Sequence, residues 1–211
     1  MTPDHTSPIS FLEKVGLAGL FLFCCIIGIS FTLHPNWVRR YFSKFKDKEK
    51  NTQQQVKRSF QGHHPDCPTF QNHTIHWNKK TWCAGCLGLF IGLCASMVLM
   101  ILYVVTDFQL TNMMSYLLIL LGLFILPVVY IEILYRSRYA IVHVIINSLM
   151  SLSFFIIIIA VGELTGKFVY GFFTILLCFL WLDVRIQLSK WHHGSLCKNC
   201  FESCKMFLTF D

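Results

Sequence analysis

Five long apolar runs set the terms for anything this chain of 211 residues can become. A hydrocarbon core of about 30 Å takes roughly 20 helical residues to cross, and inside it each segment must satisfy its own backbone N–H and C=O groups. Runs at 15–33, 86–105, 114–135, 140–161 and 168–181 meet that length; the last is the shortest, and it is able to begin nearer Leu164 or to run past Leu182. Apolar residues make up 55% of the chain and charged ones 14%, a balance that belongs to the membrane class rather than to soluble domains. The expected fold is an all-α integral membrane protein of about five transmembrane helices, multi-pass in the cell membrane, with the lipid bilayer as its first partner. Asp4 and Glu13 precede the first run, and a basic segment follows it where a cleavage site would be needed. The run therefore reads as an anchor and not as a cleaved signal.

Lys and Arg stay on the cytoplasmic side of short loops, so their distribution predicts orientation. Ten lie between His34 and Trp82, Arg136 and Arg138 follow the third run, and Arg185, Lys190, Lys198 and Lys205 close the chain, while only Lys14 and Lys167 fall on the other side. Sixteen against two places the N-terminus outside and the C-terminus inside, as an odd number of crossings requires. Trp37, Tyr41, Trp82, Tyr135 and Trp181 sit where interfacial anchors belong. Four regions result: 1–33, an N-terminal segment with the first helix; 34–82, a basic Cys/His loop; 83–182, a four-helix transmembrane region; and 183–211, a Cys-rich cytoplasmic tail. The net charge of +7 is then a topological signal, and the stretch from Arg39 to Arg58 reads as solvated or in contact with headgroups. No nucleic-acid-binding fold fits in the loop, and no nucleic acid is expected as a partner.

The loop and the tail concentrate the residues that bind metals. His63, His64, Cys67, His73 and His76 precede the pair Cys83 and Cys86, which opens the second helix; His192, His193, Cys197, Cys200 and Cys204 form the second group. A reducing compartment disfavours structural disulfides, so this spacing is better explained by metal ligation. Zinc takes four thiolate or imidazole ligands in a tetrahedron, and Cys-x2-Cys supplies two of them. One assignment joins Cys83, Cys86 and Cys67 with His64, His73 or His76, and a second joins Cys197, Cys200 and Cys204 with His193 or His192. Another merges loop and tail around a shared ion, clamping the second helix to the fifth. A helix N-terminus beneath Cys83 and Cys86 favours thiolate over thiol. A loop rich in Gln, Lys and Asn has little with which to build a core, and a structural Zn2+ replaces one with roughly 10 kcal/mol of binding energy. An iron–sulfur cluster is the alternative cofactor, although its binders usually supply four Cys at characteristic spacing. Covalent haem attachment is excluded because Leu87, not His, follows Cys86.

The string His63-His64-Pro65-Asp66-Cys67, then Phe70, His73 and Cys83-Ala84-Gly85-Cys86-Leu87-Gly88-Leu89 through Gly92, resembles the motif block of a family of small uncharacterised archaeal and bacterial multi-pass membrane proteins classed as a domain of unknown function. The likeness covers about 30 residues closely and the tail loosely. It implies a microbial membrane protein with a metal site, and it implies no activity.

Polar residues inside spans are expensive and therefore informative. Glu132, His143, Asn147 and Asp183 fall within about two turns of the cytoplasmic boundary. There they either orient metal ligands or pair with Arg136, Arg138 or Arg185. Gly88 and Gly92 form a GxxxG match expected to pack the second helix on a neighbour of the same chain. Pro127 is expected to kink the third helix, and Cys24, Cys25, Cys94 and Cys178 read as buried thiols. Four functions fit this inventory. The first is a scaffold or complex subunit whose zinc-bound cap holds the helices or docks a membrane protein partner. The second is a metal-dependent enzyme with Glu132, Asp183 or a His as base, though no HExxH is present. The third is a thiol–disulfide oxidoreductase, because Trp82-Cys83-Ala84-Gly85-Cys86 has the layout of thioredoxin-like sites and resembles the redox pairs of quinone-linked disulfide-generating membrane enzymes. The fourth is metal transport or sensing, for which a ligand at the membrane centre is missing.

Overall fold

A computed structural model of the chain describes residues 9–33, 60–61, 74–77, 80–106, 108–134 and 139–198. Five helices cover most of them: α1 (Phe11–Leu33), α2 (Ala84–Val105), α3 (Asn112–Leu134), α4 (Ala140–Thr165) and α5 (Phe168–Lys198). All five are long and apolar enough to cross a membrane, the apolar stretch of α5 running over Phe168–Ser189. The chain is an all-α multi-pass membrane protein. Each helix starts or stops within about a turn of the apolar run that announced it, except α5. That helix continues through the polar residues to Lys198, so the backbone of His192, His193 and Cys197 is helical where a tail was expected. Gln187 Nε2 donates to Asp183 Oδ2 one turn back at 2.5 Å, an i,i+4 bond of the kind that supports a helix beyond its apolar face.

The central element is α4. Its span is 61% buried, against 22–28% for the other four, and it packs chiefly against α2 and α3. Met150, Phe154, Phe155 and Ile158 of α4 meet Leu17 and Phe21 of α1, Met100 of α2, Val129 of α3 and Ile175 of α5 in one core. The outward faces of the other helices carry exposed Phe, Leu, Ile and Val, as lipid-facing surfaces do.

Small residues let α2 lie directly on α4. A Cβ on Gly92 would stand 2.7 Å from Ser148 Cα and 2.7 Å from Ser148 O, and one on Gly88 would stand 2.8 Å from Val144 Cα. Only hydrogen fits at either position. The close approach lets Ser148 Oγ donate to Gly88 O at 2.8 Å. The GxxxG pair is thus an intrachain helix contact, as expected. Pro127 lies inside α3, which runs through it without interruption.

The end of the bundle where α1 finishes and α2 begins also holds a small sheet that the polar composition of the loop did not announce. Its strands β1 (Phe60–Gln61), β2 (Thr74–Trp77) and β3 (Lys80–Cys83) lie in the order β1-β3-β2. β2 and β3 are antiparallel, pairing Thr74 with Cys83 and His76 with Thr81, and β1 runs parallel to β3.

Candidate metal site

β3 passes straight into α2, and Cys83 is the hinge between them. It ends the strand in extended conformation (φ −72°, ψ 124°) and caps the helix, whose first residue is Ala84. Cys86 follows in the first turn. The pair therefore sits over the backbone N–H groups that an α-helix leaves unsatisfied at its start, where the dipole favours anionic sulfur. Cys83 is 3% exposed, Cys86 is half-buried, and neither is in a disulfide.

Gly85, between them, brings α4 against the pair. A Cβ there would lie 3.7 Å from Asn147 Nδ2 and 3.9 Å from Cys83 Sγ, so the Asn147 amide and the Cys83 sulfur both border Gly85. Asn147 Nδ2 donates to His143 O, while its Oδ1 accepts from Arg185 Nη2. The Arg185 guanidinium is in Coulombic reach of Glu132, Cys86 and Cys83, and its Nε is buried without a hydrogen-bond partner among the described residues. Glu132 Oε1 in turn pairs with His143 Nδ1. One polar cluster thus links α3, α4 and α5 near the start of α2.

Three of the four intramembrane polar residues named from sequence are in this cluster. Asp183 is not: it is exposed and bonds along its own helix to Gln187. Arg185, which the sequence offered only as one of three possible pairing partners, is the one that holds Asn147. Arg136 and Arg138 lie outside the described residues.

The predicted ligands divide sharply. Cys83 and Cys86 come together at the head of α2. His76 lies on β2, and the pairing of Thr74 with Cys83 puts its backbone one pleat repeat along the strand from the position opposite Cys83. His192, His193 and Cys197 lie on the last two turns of α5. His63, His64, Cys67, His73, Cys200 and Cys204 lie outside the described residues. Among the described residues, no group of three or more His, Cys, Asp or Glu side chains is placed to hold a metal ion. Cys25 is buried in the core, whereas Cys24, Cys94 and Cys178 are half-buried. Trp181, one of the expected interfacial aromatics, packs edge-on to Tyr130 at 5.3 Å and accepts the Tyr130 hydroxyl at its backbone O at 3.2 Å.

No protein-family model, curated protein or solved structure matches the chain.

Proposed function

We propose that the chain is a membrane scaffold or complex subunit whose Cys83–Cys86 pair binds Zn2+ together with ligands from the loop and the tail. The bound ion joins the loop to the helix bundle. The observation that carries this reading is the placement of two unoxidised thiols at one strand–helix junction, over a helix N-terminus and within the electrostatic reach of the Arg185 guanidinium. A zinc ion with three or four thiolates carries net negative charge, and both features offset it. His76 is a further ligand candidate because its strand is paired with the one that ends at Cys83; Cys67 and the remaining loop histidines would complete the set. The basic end of the bundle then faces the cytoplasm of a microbial cell, following the Lys and Arg distribution.

The same positive surroundings favour a second reading, in which Cys83 and Cys86 exchange electrons as a dithiol–disulfide pair. Elemental analysis of protein purified without chelator separates the two, combined with alkylation of intact cells against lysate. Zinc that is present in the wild type and lost from Cys83→Ser/Cys86→Ser supports the scaffold reading. Metal-free protein whose two thiols label from outside the cell overturns it in favour of the oxidoreductase.

A further inference from the structure

At the end of the bundle opposite the cysteines, a second charged cluster is sealed from solvent. Lys14, on the first turn of α1, is 2% exposed. Its Nζ lies 3.2 Å from Glu163 Oε1, on the last turn of α4, with both side chains 2% exposed. The same ammonium donates to Phe108 O at 3.2 Å, in the connection between α2 and α3, and stands 4.7 Å from the centre of the Tyr103 ring. Tyr103, near the end of α2, donates its hydroxyl to Glu163 Oε1.

Glu163, Phe108 and Tyr103, which receive the ammonium, all lie outside α1. A carboxylate, a backbone carbonyl and the face of an aromatic ring enclose one cation, which combines charge pairing, directed N–H donation and a cation–π contact. These are the recognition elements of a primary alkylammonium. A bare metal ion would instead be matched by a full shell of oxygen ligands. Burying an ionised Glu163 without a cation carries a heavy desolvation penalty, so an ammonium occupant competes there with protonation of the carboxyl.

We propose that α2, α4 and the connection between α2 and α3 form a receptor for a primary alkylammonium, and that Lys14 occupies it as a tethered ligand. Docking of α1 and binding of an untethered amine at Glu163 are then mutually exclusive. The first helix carries the plug of a cationic site that the other helices have already built.

Chemical rescue tests this on the full chain in detergent. Lys14→Ala removes the atoms of n-propylammonium from a buried position, so this cation is the probe. Losing one partner of a buried pair lowers the thermal midpoint by roughly 10 °C. At matched ionic strength, n-propylammonium is expected to restore at least half of that loss in K14A, while leaving the wild type and K14A/E163Q unchanged. Tetramethylammonium and NaCl are expected to restore nothing, because neither donates an N–H bond. Equal rescue by all three salts, or rescue that persists in K14A/E163Q, overturns the proposal, as does no rescue in K14A. If K14A does not fold without help, purification with n-propylammonium in every buffer becomes the readout: recovery of K14A but not of K14A/E163Q supports the receptor, and recovery of neither overturns it.

Discussion

Replacing Gly92 by Ala tests the helix contact on which the position of Cys83 and Cys86 depends. The added Cβ would sit 2.7 Å from Ser148 Cα and 2.9 Å from Ser151 Cβ, where carbon atoms settle at about 3.5 to 4.0 Å. The contacted atoms are backbone and a Cβ, which cannot rotate aside, so α2 and α4 must separate by about 1 Å. Strain from such overpacking costs about 1 to 3 kcal/mol. The same separation stretches the bond from Ser148 Oγ to Gly88 O beyond its 2.8 Å, which adds about 0.6 kcal/mol for a hydrogen bond between membrane helices. Gly19 supplies the control, because a Cβ there meets nothing within 4 Å. There Ala should be neutral or should stabilise α1 by up to about 1 kcal/mol through helix propensity. The assay is unfolding by titrated SDS from mixed micelles, followed by circular dichroism. A loss of about 1.5 to 3.5 kcal/mol in G92A with none in G19A is expected; equal stability of the two variants refutes the close approach of α2 and α4.

Two further outcomes follow from single residues. Arg185→Gln removes a positive charge whose field reaches Cys83 and Cys86, and competition with a chromophoric chelator should show zinc held about 10-fold or more less tightly, with Arg185→Lys retaining most of the affinity; unchanged affinity in R185Q would remove Arg185 from the site. Gly166→Ala forces a Cβ into the left-handed region (φ 62°) at the end of α4, where the Gly166 N–H bonds to Gly162 O at 3.0 Å. It should cost about 1 to 2 kcal/mol and lower the thermal midpoint by a few degrees, and a midpoint equal to wild type contradicts the turn geometry.

The spans were legible because lipid leaves the backbone no choice but to bond within each run. Apolar length alone therefore predicts the helices, and it stops being informative where residues turn polar. That is why α5 extends through Trp191 and Cys197 beyond the run that announced it. It is also why Lys14 was read only as a topological charge. The first run was bounded at Val15 and the fourth at Val161, so Lys14 and Glu163 each fell just outside a span, although one more turn on each helix would have placed both in the bundle. A Lys and a Glu that both abut apolar runs at the same predicted membrane face were the available signal. The Gly88 and Gly92 contact was legible from spacing, whereas its partner, the Val144 to Ser151 face of α4, was not. Cys83 and Cys86 are legible as a helix start because the apolar run begins at Cys86, just after the polar residues Asn78 to Thr81. The adjoining strands were not foreseen, since their two to four residues are too short for an alternating pattern to stand out from a polar loop.

The partner of Lys14 is supplied far along the chain. Ribosomes add about 5 to 20 residues each second, so α1 precedes Glu163 by something like 10 to 30 s during synthesis. Until then the Glu163 carboxylate is missing from its surroundings, and a lysine at a helix end keeps its charge hydrated by reaching toward the headgroup layer. Glu13 waits as well, because its Oε1 accepts from Phe168 N at 3.4 Å, where the last helix begins. These contacts of α1 are thus completed only once α4 and the start of α5 have been made.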